Sequence, residues 1–187
     1  MANADTPRGF WAIRHLTGGT IRLGEYAIAS GYGTLICSGD IVKLVGGGGI
    51  EISAAGARSI GVFAGVEYTN ASGEVIFSKQ WPASTVATNI KAKVYDDPMT
   101  VFGVQSAGST VEADIGTLGD HVATAGSSAT GSSNMELNGT TSTAYAGFRV
   151  LGKVEQPGNE YGTNVLLEVQ LVEHELMAGN EATTPGV

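Results

Sequence analysis

Near its C-terminal end the chain reads Asn164-Val-Leu-Leu-Glu-Val-Gln-Leu-Val-Glu-His-Glu-Leu176. In an extended chain Val165, Leu167, Val169, Leu171 and Glu173 fall on one side, and Leu166, Glu168, Gln170, Val172 and His174 on the other. One side is nearly pure hydrophobe and the other is mixed, as expected for a strand with one face on a core.

Working outward, short runs rich in Val, Ile, Phe and Tyr alternate with clusters of Gly, Ser, Asn and Pro. No long stretch carries apolar residues at helical spacing. The predicted strands are Ile21–Ala29, Leu35–Cys37, Ile41–Val45, Ile50–Ser53, Ile60–Tyr68, Val75–Lys79, Ile90–Tyr95, Val101–Gln105, Ser142–Val154 and Asn164–Leu176. Turns are legible between them. Gly46 to Gly49 and Asn70-Ala-Ser-Gly73 suit hairpins, Asp96-Asp-Pro98 closes a strand, and Gln156-Pro-Gly-Asn159 separates the last two. This pattern predicts an all-β single domain, a β-sandwich or β-barrel, over residues 10–178. A polar arm, residues 1–9, precedes it. Residues 125–134 are predicted to be an exposed, mobile loop, and residues 179–187 a disordered tail.

The chain has 187 residues, 42% of them apolar, which is enough for one core. Charged residues are only 15%, and 28 glycines help fill their place. Such a weakly charged surface is suited to being covered by neighbours in an assembly. Residues 1–100 carry eight basic and eight acidic side chains, whereas residues 101–187 carry two basic and ten acidic, so the whole net charge of −8 sits in the second half. No basic stripe for nucleic acid and no polybasic membrane anchor is present. The N-terminus lacks the apolar segment of a secretory signal, and no run approaches the roughly 18 apolar residues that span a bilayer. Cys37, the single cysteine, lies in the apolar run Thr34-Leu-Ile-Cys-Ser38 and is expected to be a buried, inert thiol.

Motifs that carry chemistry are weak. Gly147-Phe-Arg-Val-Leu-Gly-Lys153 matches the start of a phosphate-binding loop, but Val154 stands where a hydroxyl should hold magnesium, and Phe-Arg-Val-Leu reads as a strand. Gly31-Tyr-Gly33 lacks the third glycine of a dinucleotide fingerprint. His15, His121 and His174 have no metal-like spacing, and Asp120-His121 has no nucleophile elbow to serve. Asp96, Asp97, Asp114 and Asp120 form no calcium loop. No catalytic residue, metal or cofactor is therefore expected. An exposed aromatic platform for carbohydrate would have to draw on Trp11, Tyr26, Tyr32 and Trp81, which are scattered in sequence.

The segment Arg8-Gly-Phe-Trp-Ala-Ile-Arg-His15 stands out, because arginine and aromatics are enriched where proteins meet. Arg8, Phe10, Trp11 and Arg14 are the expected interface residues, where the arm of residues 1–9 leads into the domain; the arm is expected to order on binding, and loss of residues 2–9 hardly to affect the fold. A first core strand would begin with the same aromatics, and the sequence does not choose between the two readings.

Several motifs, in order, resemble those of tailed-bacteriophage structural proteins. They are the opening Met-Ala-Asn-Ala-Asp-Thr-Pro-Arg-Gly-Phe10, then Ser38-Gly-Asp-Ile-Val-Lys-Leu44, then Ile60-Gly-Val-Phe-Ala-Gly-Val-Glu-Tyr68. Val94-Tyr-Asp-Asp-Pro98, Val101-Phe-Gly-Val-Gln105, Ser133-Asn-Met-Glu-Leu137 and Glu173-His-Glu-Leu176 complete the series. The resemblance is to head decoration, or cement, proteins. It implies a non-enzymatic protein made in the host cytoplasm that binds the major capsid protein on the outside of an icosahedral shell, commonly as a trimer. Gly39-Asp40 and Ile60-Gly61-Val62 also resemble the small β-barrel of lambda-type decoration proteins, which are shorter than this chain.

Overall fold

The computed structural model describes residues 3–139 and 147–177. The strands are β1 (Trp11–His15), β2 (Gly24–Tyr26), β3 (Ile36–Cys37), β4 (Ile41–Val45), β5 (Gly49–Ile52), β6 (Gly61–Thr69), β7 (Val75–Ser78), β8 (Gln80–Trp81), β9 (Thr88–Tyr95) and β10 (Thr100–Gln105). They continue with β11 (Ser109–Thr110), β12 (Leu118–Gly119), β13 (His121–Val122), β14 (Glu136–Leu137), β15 (Phe148–Lys153), β16 (Gly162–Thr163) and β17 (Leu166–Leu171). A single 3-10 turn, Glu112–Asp114, is the one helical element among the described residues. The all-β expectation therefore holds, in a sandwich-like arrangement that is not a closed barrel.

One antiparallel sheet runs β1-β10-β17-β15-β12. The second runs β2-β9-β6-β4-β5. Here β4 takes only Gly61 and Val62 of β6, which leaves Val66–Thr69 to pair with β7 on the same side. This sheet curls until Gly49 of β5 meets Ala27, just past β2, through one parallel bridge. Its concave side encloses Phe63, Val66, Val94, Ile36, Ile60 and Trp81. A second core, with Phe10, Phe102, Phe148, Leu167 and Val169, lies against the five-stranded sheet and takes in Ile41 and Val62 from the curled one. Val165, Leu167, Val169 and Leu171 are all buried, as the alternation in this last strand requires.

Several boundaries differ from the sequence reading for identifiable reasons. β2 is only three residues long because Ala27 leaves β9 and accepts the Ile50 N–H (2.8 Å). β17 stops at Leu171 because the chain next bonds Ser59, through Ser59 N–H to Glu173 O (3.1 Å) and Glu175 N–H to Ser59 O (3.0 Å). The glycine turn joins β4 to β5 with Gly47 and Gly48 at φ of 86° and 78°, values costly for any side chain. Residues 125–134 do not form the free loop expected. Ser127 and Ser132 bridge, Ser38 N–H donates to Gly131 O (3.1 Å), and Gln80 Nε2 donates to Ser128 O (3.1 Å). The predicted tail and the first part of Ser142–Val154 lie outside the described residues.

Candidate interaction surface

The four expected interface residues divide between two environments. Phe10 is 2% exposed and stacks on Phe148, with ring centroids 4.7 Å apart. It is a core residue with no surface to offer a partner, which corrects its assignment to the interface. Arg8, Trp11 and Arg14 come together on the opposite, outer face of the five-stranded sheet. The Arg8 guanidinium lies 3.9 Å from the Trp11 ring centroid. Trp11 pairs with Gly103 of β10, and a side chain at Gly103 would collide with the indole.

Arg14 reaches this face because of a bulge. Ala12 pairs with Phe102 and Arg14 with Val101, so Ile13 is the extra residue. Strand alternation alone would place residues 11 and 14 on opposite faces; the bulge re-aims Arg14 to the side of Trp11. Its Nη2 then bonds Glu168 Oε2 of β17 at 2.8 Å.

The arm is tied to the body. Gln105, buried on the outer face of β10, accepts the Thr6 N–H through Oε1 (3.1 Å) and donates through Nε2 to Ala4 O (3.4 Å) and Asp5 Oδ1 (3.3 Å). Asn3 donates to Glu160 O (2.8 Å) and Thr163 O (2.9 Å) and accepts the Glu160 N–H (3.1 Å). Residues 3–9 thus lie against the sheet, and their removal would take three hydrogen bonds from the Gln105 side chain.

A second surface was not anticipated. On the convex face of the curled sheet Phe77 is 77% exposed and Val75 is 56% exposed, both on β7. Beside them a hollow of about 510 Å³ is lined by Leu23, Gly65, Phe77, Lys93 and Tyr95. The neighbouring charges are paired across strands, Lys93 with Glu25 and Lys91 with Glu67. The sequence marks Val75–Lys79 as a strand, and because Val75-Ile-Phe is apolar on both parities it does not say which side is covered; the structure covers the Ile76 side.

The histidines and Asp120 singled out in the sequence each make at least one structural contact. His121 Nε2 donates to Ser53 O (3.1 Å), while Asp120 Oδ1 accepts the Gly147 N–H (2.9 Å), so the two do not form a relay. His15 Nδ1 accepts from Gly19 N–H (3.0 Å), and its Nε2 is 3.4 Å from Asp97. His174 Nδ1 accepts the Leu176 N–H (3.1 Å). Burial depresses both His121 and His174 below the usual histidine range. Burial, with the nearby Asp40, pushes the Cys37 thiol up to about 11, which keeps it protonated at neutral pH. Phe148–Lys153, the phosphate-loop look-alike, is β15, flanked by β17 and β12. Trp81 is fully buried and Tyr68 meets it edge-on at 5.4 Å, so it is not part of any exposed aromatic platform. No group of three or more His, Cys, Asp or Glu side chains among the described residues is arranged to hold a metal. None of their helices is long and apolar enough to cross a membrane.

Compared with known proteins, the chain matches no family model, no curated protein and no solved structure.

Proposed function

We propose that this chain is a structural protein of a tailed-phage particle, a decoration protein that binds the major capsid protein on the outer face of the icosahedral shell. The observation that carries the reading is the ordered series of motifs from Met1-Ala-Asn-Ala-Asp to Glu173-His-Glu-Leu176, similar to that of decoration proteins. An all-β body with Arg8, Trp11 and Arg14 on one face supports it, since arginine and tryptophan dominate hot spots.

The physics is mass action. A protein that binds only the assembled shell stabilises it by its binding free energy, and symmetry repeats that contribution at every equivalent site. The proposal includes three-fold association on the particle, where several modest contacts act together. Mass spectrometry of purified virions tests the reading, together with binding of the purified protein to undecorated shells. Absence from virions, or no shell binding at micromolar concentration, overturns it. An averaged particle map with isolated single copies would overturn the trimer alone.

A further inference from the structure

We propose that β7 is a self-pairing edge, at which two copies of this chain join their curled sheets about a two-fold axis. The inference does not rest on the capsid reading. Among the described residues β7 pairs with β6 and with no other strand. Its register is Val66 with Ser78, Glu67 with Phe77, Tyr68 with Ile76 and Thr69 with Val75, and Asn70 N–H donates to Glu74 O at 2.9 Å. Hydrogen-bonded pairs alternate along an antiparallel ladder. The backbone groups of Glu74, Ile76 and Ser78 therefore face β6, and those of Val75 and Phe77 face outward. The open stretch is short, because at Lys79 the carbonyl is taken by the Ser38 N–H (2.9 Å).

Natural sheets blunt their edges with charge, proline, bulges, brevity or cover. The other edges of the two main sheets follow this rule. β1 has the bulge at Ile13 and carries Arg14; β2 is three residues long and carries Glu25; β12 is two residues long. The outer side of β5 bonds Ala27. Val75-Ile-Phe-Ser78 is short but carries no charge, proline, bulge or cover among the described residues, and it presents the two most exposed large hydrophobics on either main sheet.

The strand is complementary to itself. Under a two-fold perpendicular to the sheet, Ile76 faces Ile76 of the second copy, and Val75 faces the second copy's Phe77. Both residues of that pair have outward backbone groups, so they exchange hydrogen bonds in each direction. The exposed side chains then form a β-branched–aromatic cross-strand pair on the convex face. Charge selects the same orientation. Glu74 precedes the strand and Lys79 follows it, so antiparallel pairing sets each acidic end beside a basic end, whereas parallel pairing sets like beside like. The contact is isologous and closes at two copies, so it is separate from any three-fold contact on a particle.

Sedimentation velocity of the full chain across a concentration series, with amide hydrogen exchange, tests this. The expected result is a concentration-dependent species of even copy number, with slowed exchange at Val75 and Phe77 as it forms. Phe77→Lys should at least halve the assembled mass while the circular dichroism and melting temperature stay unchanged. Val75→Pro, which removes an outward donor without touching the β6 ladder, should do the same. A wild-type chain that stays monomeric overturns the proposal. So does a dimer that survives both variants, or a trimer indifferent to them, and neither result bears on shell binding.

Discussion

The indole of Trp11 occupies the space above Gly103 that a side chain would need. The pair joins the arm to the sheet, because Arg8 lies over the same ring. Gly103→Ala should displace Trp11 and cost about 1–3 kcal/mol, the range for overpacking. It should also red-shift the fluorescence of this tryptophan, the other one, Trp81, being buried. In a Trp11→Ala background the same change should cost much less. Equal costs in a denaturation double-mutant cycle would mean that the two residues are not coupled.

Phe10→Ala tests the division between core and surface. Removing a fully buried ring stacked on Phe148 should cost about 3–5 kcal/mol. Arg8→Ala, which loses an exposed cation–π contact, should cost under about 1 kcal/mol. Urea denaturation of the two variants decides it; comparable small losses would place Phe10 outside the core.

A third test concerns pH. His121 and His174 are held below their ordinary value of 6.5 by burial. As pH falls through that value the unfolded chain takes up protons first, so their contribution is fully present above it and is lost below it. Burial raises Glu173 and Glu175 above 4.5. The folded chain then takes up their protons first, which favours it as pH falls towards 4.5 and so opposes the histidines. Lowering pH from about 7 to about 5.5 crosses mainly the histidine range, and the melting temperature should fall. His121→Gln keeps a donor for Ser53 O and His174→Asn keeps an acceptor for the Leu176 N–H, but neither can charge. The doubly substituted chain should lose most of the slope; an undiminished slope would assign it to other groups.

β17 was legible from its alternation, and β4 and β10 from their short apolar runs, β10 being buried on both faces. The two-residue ladders β12, β13, β14 and β16 were not, since their Gly, His and Thr residues pair through contacts made elsewhere in the fold. The interface segment was legible in kind but not in detail. Phe10 and Trp11 are adjacent, and alternation sends one into the core and the other outward, but only the bulge at Ile13 brings Arg14 back to Trp11. The arm is fixed by Gln105, about a hundred residues away, which no local pattern could reveal. The exposure of Phe77 was hidden because Val75-Ile-Phe is apolar on both parities.

The remaining prediction separates the outer face of the five-stranded sheet from the fold beneath it. Arg8 and Arg14 both lie on that face, and the Arg14–Glu168 pair is partly exposed, so in the free protein it contributes about 0–1 kcal/mol. The double substitution Arg8→Ala, Arg14→Ala should therefore leave the melting temperature nearly unchanged. If this face docks on a shell, the same guanidinium groups lose water and meet carboxylates or carbonyls of the partner, where each loss costs about 2–5 kcal/mol. Binding to undecorated shells should then weaken by at least tenfold. Deleting residues 2–9 is a poorer probe, because the buried amide of Gln105 loses Thr6, Ala4 and Asp5 together and the fold weakens with it. Shell binding and melting temperature measured side by side on the double variant give the answer. Unchanged binding with an unchanged melting temperature would remove this face from the contact and direct attention to the convex face of the curled sheet, where Phe77→Lys is the corresponding variant.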